Sequence, residues 1–157
     1  CAAARMSLGG SYYSSNIEDY YQTPWAIGHG RLIKFDHDFV GRDALERLAS
    51  QPQRRKVTLM WNPEDVMKAI GTLFQDGVPA MHINFPLAAT ARLHYDRVLD
   101  ASGRTVGVAT YPGYTANEKS MLSLGSVDDS VAAPGTEVTL IEYSNASPHS
   151  NVGNVAS

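Results

Sequence analysis

The stretch FDHDFVGRDALERL places Asp36, His37 and Asp38 in a row among aromatic residues. Carboxylates and an imidazole are side chains that bind metal ions or move protons. A metal site needs three or four converging ligands, whereas consecutive residues of a strand point to opposite faces. The five histidines show neither HxH nor HxxxH spacing. We therefore expect no metal, and we expect Asp36 or Asp38 to accept backbone N–H bonds where a helix begins.

Other catalytic signatures are missing from the sequence. No GxSxG, GxGxxG or Walker motif occurs, and the single cysteine is Cys1. The sequence therefore gives no support for a nucleophilic triad or a glycine-rich nucleotide site. The acidic pairs Glu64-Asp65 and Asp128-Asp129 are explained by a helix start and a turn. No catalytic residue can be named.

Residues 12–25 form an aromatic segment with four tyrosines and one tryptophan. Glycines and a proline punctuate it, which is typical of loop with short helical turns. Such rings can line a pocket for a flat ligand, because they offer stacking faces and phenolic O–H groups. Alternatively, they cover a core or an interdomain surface, and composition alone favours this second interpretation.

Two helices and several strands must position these side chains. Apolar spacing predicts a helix over 41–49, and Asn62-Pro63-Glu64-Asp65 predicts the start of a second helix. Residues 31–35 and 56–61 are typical of strands. Strand-like runs then follow, separated by glycine- and proline-containing turns, at residues 92–99, 105–111, 120–127 and 137–143.

These patterns predict an α+β fold in which a short α/β linking segment precedes an antiparallel β-barrel. The last fourteen residues, SNASPHSNVGNVAS, are polar and lack aromatic residues, so we expect them to be disordered. Because the chain opens on Cys1 in what looks like mid-structure, we expect it to be the rear part of a longer polypeptide.

Composition excludes several classes of function. The net charge is −3, and only Arg54, Arg55 and Lys56 form a basic cluster, so we expect no nucleic-acid partner. No apolar run approaches about 18 residues, so we expect no membrane span. One cysteine permits no disulfide within the chain and is compatible with the reducing cytoplasm, where we expect the protein to act.

Several motifs resemble one known family. The run LGGSYYSSNIEDYYQTPWAIGHGRLIKFDHDFVGRDALE resembles the folate-dependent aminomethyltransferases typified by the glycine cleavage T-protein, and FVGRDALE is similar to their helix entry. RVLDASGRTVGVATYPGYTANEKSMLSLGSVDDSVAAPGTEVTLI is similar to their C-terminal barrel. NIEDYYQTPWAIGHG with FDHDF is most similar to the branch of tetrahydrofolate-dependent vanillate and syringate O-demethylases.

The resemblance implies a C-terminal portion of an enzyme that moves a methyl or aminomethyl group to N5 of tetrahydrofolate without a metal. It implies four parts: the end of a folate- and substrate-binding domain (1–35), linking helices and a strand (36–77), barrel strands (78–143) and a disordered tail (144–157). Its partners would be upstream domains of the same polypeptide and a small-molecule donor. The predicted pocket-lining residues are Tyr12, Tyr13, Asn16, Tyr21 and Trp25.

Two other functions are compatible with the same resemblance. The chain could be a noncatalytic structural or interaction barrel domain that packs against catalytic domains. It could also be a folate-binding regulatory relative that supports iron–sulfur protein or tRNA modification. The enzyme and the noncatalytic barrel are compatible if the chain is a fragment. Changing Tyr12, Tyr13 and Trp25 to Phe or Ala in the full-length protein tests whether these residues line the pocket.

Overall fold

The computed structural model describes residues 7–80, 92–142 and 149–156. The strands are β1 (Ser7–Gly9), β2 (Arg54–Trp61), β3 (Arg92–His94), β4 (Asp96–Leu99), β5 (Thr105–Thr115), β6 (Ser120–Asp128), β7 (Glu137–Glu142) and β8 (His149–Ala156). The α-helices are α1 (Arg42–Ala49) and α2 (Pro63–Gly71), and short 3-10 turns lie at Ile17–Tyr20, Gly30–Leu32, Thr72–Phe74 and Asp129–Val131.

The main body is an antiparallel barrel. Strands β2, β6, β5, β4 and β7 form one curled sheet in that order, and β8 closes it by pairing with both β7 and β2. Strands β1 and β3 form a separate parallel pair. The prediction of an α+β fold with an antiparallel barrel is therefore confirmed.

The core fills the inside of the barrel. Along β2, Val57, Leu59 and Trp61 are buried at every second position, as expected for a strand with one face inward. The indole N–H of Trp61 donates to the Ser123 hydroxyl at 2.8 Å, so the largest core side chain has its polar group satisfied. Valines of β4, β5, β6 and β7 complete this core.

Helix α2 begins as its sequence predicts. The Asn62 side chain accepts hydrogen bonds from the backbone N–H groups of Glu64, at 2.8 Å, and Asp65, at 3.3 Å. Pro63 occupies the first turn, where its missing N–H costs nothing. Val66 is the buried residue of this helix, and it packs on the barrel core.

The entry to helix α1 differs from the prediction. Gly41, at φ 90°, is the N-cap residue, and no side chain caps the helix. The Asp38 carboxylate instead contacts the Arg42 guanidinium at 3.2 Å, and the exposed Asp36 carboxylate contacts His37 Nδ1 at 2.7 Å. The prediction that Asp36 or Asp38 caps the helix was wrong. Both carboxylates instead contact side chains one to four residues away, an imidazole and a guanidinium.

Three other segments differ from the sequence analysis. Residues 31–35 form no strand: the N–H groups of Leu32 and Ile33 bond locally to His29 and Gly30, which leaves no extended edge. Strand β2, assigned above to a linking segment, pairs with β6 and β8 inside the barrel. The tail predicted to be disordered contains β8, because unpaired edges of β7 and β2 bind a strand through backbone groups, whatever its side chains.

Two further expectations concern membrane spans and metal ions. Within residues 7–80, 92–142 and 149–156, no helix combines the length and the apolar character needed to cross a bilayer. In the same ranges, no three His, Cys, Asp or Glu side chains are grouped so that they could bind a metal ion.

The turn between β4 and β5 is organised by one carboxylate. Asp100 accepts hydrogen bonds from the Ser102 hydroxyl at 2.6 Å, from the Ser102 amide at 2.9 Å and from the Arg104 amide and Nε at 3.1 Å. The Ser102 hydroxyl first, and then the Arg104 groups, lower the pKa of Asp100 from its ordinary value of 3.8 to about 2.

Replacing Asp100 by asparagine is expected to flatten the acid limb of the stability curve. Because the folded-state pKa lies below the unfolded value, the stabilisation is present above pH 3.8 and is lost as pH falls towards about 2. Urea unfolding between pH 7 and pH 2 measures the free energy of unfolding of both proteins. The difference in this free energy between wild type and Asp100→Asn should shrink as the pH falls from 3.8 towards about 2. Parallel plots of unfolding free energy against pH would contradict this account. Ser102→Ala should give a plot whose acid limb is intermediate in slope.

Candidate functional site

The aromatic segment is fixed to the barrel through residues 9–12. The Tyr95 N–H donates to the Gly9 carbonyl at 2.9 Å, and the Tyr12 N–H donates to the Tyr95 carbonyl at 2.8 Å. Between them, the Ser11 hydroxyl accepts from the Arg97 N–H at 2.8 Å and donates to the Ile141 carbonyl. These bonds place Tyr12 directly beside the start of β4.

Three tyrosine rings stack edge to face at this point. The centroids of Tyr12 and Tyr20 are 5.3 Å apart, and those of Tyr20 and Tyr95 are 5.8 Å apart, with interplanar angles of 78° and 85°. Burial first, and then the nearby charge of Asp19, raise the pKa of Tyr12 above its ordinary value of 10.0. The Tyr12 phenol therefore keeps its proton at neutral pH and can donate a hydrogen bond.

A first cleft opens beside this stack, and we call it the tyrosine cleft. Its volume is about 480 Å³. It lies between the aromatic segment and the turn that joins α1 to β2, and its lining includes Tyr12, Asp19, Tyr21, Gln53 and Arg54. It thus combines phenolic O–H groups, a carboxylate, an amide and a guanidinium, which are groups that can transfer protons or orient a polar ligand.

A second cleft, which we call the basic cleft, lies on the other side of the same turn. Its volume is about 720 Å³, and it shares Gln53 and Arg54 with the tyrosine cleft. Trp25 provides an aromatic face, while Arg31, Arg55 and Lys56 add positive charge. The charges of two arginines of this cleft are partly neutralised, since Arg54 lies 3.4 Å from Asp128 and Arg55 pairs with Asp129. The remaining charge favours an anionic ligand.

Trp25 is held by tight local packing. The Thr23 hydroxyl donates to Gln53 Oε1 at 3.0 Å, which ties the aromatic segment to the turn before β2. The Gly28 N–H bonds to the Trp25 carbonyl at 2.9 Å, so the chain turns sharply after the indole. A Cβ on Gly30 would lie 2.3 Å from Trp25 Cδ1, so the indole packs directly on that glycine backbone.

The five predicted pocket residues are placed in four different settings. Tyr12 and Tyr21 both line the tyrosine cleft, and Trp25 lines the neighbouring basic cleft. Tyr13 is 83% exposed. The Asn16 side chain caps the Ile17–Tyr20 turn by accepting from the Glu18 N–H at 3.1 Å. The pocket role of all five remains a prediction.

Several residues of the site come from other parts of the chain and were not predicted from the sequence. Tyr95 completes the aromatic stack although it lies 75 or more positions from its partners Tyr12 and Tyr20, and no local pattern marks it. Gln53 contributes to both clefts and was equally unmarked. A signal did exist for Arg54, Arg55 and Lys56, because they form the only basic cluster in the sequence.

Two curated proteins match most of the chain. Syringate O-demethylase from Sphingobium sp. is 45% identical over 138 residues, which cover 88% of this chain and 30% of that protein. Sesamin methylene transferase from Sinomonas sp. is 34% identical over 136 residues, which cover 80% of this chain and 30% of that protein. The chain belongs to the aminomethyltransferase-type superfamily. The resemblance to this superfamily stated above is confirmed.

A solved structure agrees with this superfamily assignment at the level of the fold. The glycine cleavage system aminomethyltransferase T from Bartonella henselae aligns with 87% of this chain and 31% of its own, with a TM-score of 0.56 and 20% identity. No family model matches the sequence. The chain spans about 30% of the length of the curated relatives and corresponds to their C-terminal portion.

Proposed function

We propose that this chain is the C-terminal portion of a one-carbon transferase that demethylates methoxylated aromatic acids, with tetrahydrofolate as the acceptor. The observation that carries the proposal is the 45% identity to syringate O-demethylase over 88% of the chain. The relative named for methylene transfer, at 34% identity, supports one-carbon transfer more generally. An aminomethyl donor is the second donor class to test.

The tyrosine cleft supports this chemistry. When the carbon–oxygen bond of an aryl methyl ether breaks, the departing phenolate oxygen must gain a proton or a hydrogen bond. Tyr12 has a phenol that stays protonated at neutral pH, and Tyr21 lines the same cleft. Either could hydrogen-bond a ligand oxygen there, and the neighbouring Asp19 could accept a hydrogen bond from it. No catalytic role is assigned to one of them.

The basic cleft fits the acceptor. Tetrahydrofolate, when bound, supplies the N5 nucleophile that receives the one-carbon unit. Its planar pyrimidine and aminobenzoyl rings suit the Trp25 face, and its carboxylates suit Arg31 and Lys56, whose charges are on the same cleft. This chain's residues would hold and orient the acceptor, which lowers the entropic part of the barrier.

Upstream parts of the same polypeptide are the proposed partner. The relatives are about three times longer than the matched region. Both clefts are open, and Tyr13, Tyr21 and Leu32 are 83%, 67% and 68% exposed beside them. Apolar surface of this kind is typical of a face that packs on another domain. The cytoplasm is the proposed compartment, and the single cysteine is compatible with it.

The same exposed face favours one competing function. A noncatalytic barrel domain would also present apolar side chains, such as Tyr13 and Leu32, to catalytic neighbours. In that case, the clefts would be contact surfaces and their polar groups would not affect turnover. A regulatory relative would bind tetrahydrofolate without transferring a methyl group.

The experiment uses the polypeptide encoded by the native open reading frame. We expect it to convert syringate or vanillate to the demethylated phenol while forming one equivalent of 5-methyltetrahydrofolate. Chromatography measures both products. The isolated 157-residue chain should show no turnover, because it lacks the proposed upstream walls of the pocket. Turnover by the isolated chain would contradict the partner proposal. Absence of turnover by the full polypeptide with every methoxylated acid and aminomethyl donor would contradict the enzyme proposal.

A further inference from the structure

A separate cavity of about 260 Å³ lies on the outer face of the barrel. Lys56, Val108 and Ser126 are neighbours across β2, β6 and β5, in register. The adjacent residues Val57 and Val127 belong to the core, so these three side chains point outward. Gln22, Ala26 and Ile27 cover Val108 and Ser126, which are only 2% and 8% exposed although they face away from the core, whereas Lys56 at the rim stays exposed.

Ser126 carries an unexplained polar group. The residue is 8% exposed, it lines this cavity, and its hydroxyl has no hydrogen-bond partner among the described residues. A buried hydroxyl without a partner is destabilising, and native structures rarely retain one without a reason. A ligand that accepts a hydrogen bond would supply that reason.

The other polar groups of the cavity are also donors. Lys56 brings positive charge, and Gln22, Tyr95 and Tyr111 bring an amide and two phenols, while no aspartate or glutamate is among the described lining residues. Burial first, and then the nearby Tyr111, raise the pKa of Tyr95, so its phenol keeps its proton and can donate. Such a set of groups favours an anion or another strong acceptor.

Apart from Thr110, whose hydroxyl donates to the Leu124 carbonyl at 3.3 Å, the remaining lining is apolar, and one wall is strained. Ala26, Ile27, Val108 and Leu124 form the apolar part of the lining. Tyr111 is held at φ 49°, in the left-handed region, where β5 shifts register against β6. Backbone strain of this kind at a non-glycine residue is concentrated at ligand sites. Here the strained residue, Tyr111, is itself one of those that line the cavity.

We infer that this cavity is a ligand site for a small aromatic carboxylate, of about the size of benzoate, held by the Ser126 hydroxyl and the Lys56 ammonium group. The apolar walls contact the ring, and the donors contact the carboxylate. Val108, Leu124 and Ser126 belong to this cavity and to neither cleft, although Gln22 and Ala26 also border the tyrosine cleft and Lys56 also borders the basic cleft. Binding here requires no methyl transfer, so its test is independent of the proposed function.

The test is a benzoate titration of the protein followed by amide NMR shifts, with benzamide as the neutral ligand of the same shape. We expect benzoate to bind at least about tenfold more tightly than benzamide, because charge-assisted hydrogen bonds are stronger. Ser126→Ala should weaken benzoate binding at least about fivefold without lowering the melting temperature, since the hydroxyl has no protein partner to lose. Lys56→Met should remove the preference for benzoate.

Ser120→Ala is the matched control, because it makes the same change on the same strand, outside the cavity lining. Its affinity for benzoate should equal that of the wild type. The inference is overturned if benzoate shifts no cavity residue at millimolar concentration. It is equally overturned if Ser126→Ala and Lys56→Met bind benzoate as tightly as the control.

Discussion

Replacing Gly107 by alanine is expected to destabilise the barrel by about 3 kcal/mol, which is the upper part of the range for overpacked sites. Gly107 pairs with Val127 of β6 on one side and with Val98 of β4 on the other. An added Cβ would lie 2.4 Å from the Ser126 carbonyl oxygen and 2.7 Å from Val127 Cα. These are backbone atoms of a paired strand, so relief requires the separation of β5 from β6.

Gly113→Ala is the control for this substitution. Gly113 lies on the same strand, and no atom lies within 4 Å of the position that its Cβ would take. We expect a change below about 1 kcal/mol, because only the general difference between glycine and alanine in a strand applies. Urea denaturation followed by tryptophan fluorescence measures both. Equal losses of unfolding free energy for the two variants would show that the close approach of β6 to Gly107 does not cause the destabilisation.

Replacing Gly10 by alanine is expected to cost about 2 kcal/mol and to displace the aromatic segment. Gly10 has φ 98°, and an added Cβ would lie 2.3 Å from the Tyr95 carbonyl oxygen. The Tyr12 N–H donates to that same carbonyl, so the clash breaks the contact that fixes Tyr12 at the tyrosine cleft. The loss of turnover in the full-length protein should therefore be larger than the fraction of protein that the lower stability leaves unfolded.

Gly103→Ala separates the two causes of this effect. Gly103 also has a positive φ, 80°, but no atom lies within 4 Å of its Cβ position. It should lose only the conformational part, about 1 kcal/mol, and leave activity unchanged. If Gly10→Ala and Gly103→Ala behaved alike in urea denaturation and in turnover, the close packing of Gly10 on Tyr95 would have no role in positioning Tyr12.

Elements with local signals were predictable from the sequence. The cap residue Asn62 and Pro63 specify the start of α2 without help from distant residues. The alternation in β2 specifies which face is inward, since the side-chain period of a strand matches the barrel wall. The regular spacing of turn-separated strand runs predicted an antiparallel barrel, and the resemblance to aminomethyltransferases pointed to the same architecture.

Features that depend on distant partners could not be predicted. Strand β8 exists because two sheet edges accept its backbone, and its polar side chains carry no sign of this. Tyr95 joins Tyr12 and Tyr20 only because residues 9–12 run beside β4. The same applies to the unpartnered hydroxyl of Ser126, which becomes visible only once residues 22–27 cover the outer face of the barrel.

The central claim is that the tyrosine cleft forms part of a one-carbon transfer site in the full-length protein. Its most direct test is the kcat/KM for formation of 5-methyltetrahydrofolate from syringate by the Tyr12→Phe, Tyr21→Phe double variant, which removes two hydroxyls and keeps both rings. We predict a loss of at least about tenfold, equivalent to about 1.4 kcal/mol of transition-state stabilisation. Tyr114→Phe, at a 59% exposed tyrosine of β5, should retain the wild-type value. A double variant that also retains it would contradict the claim.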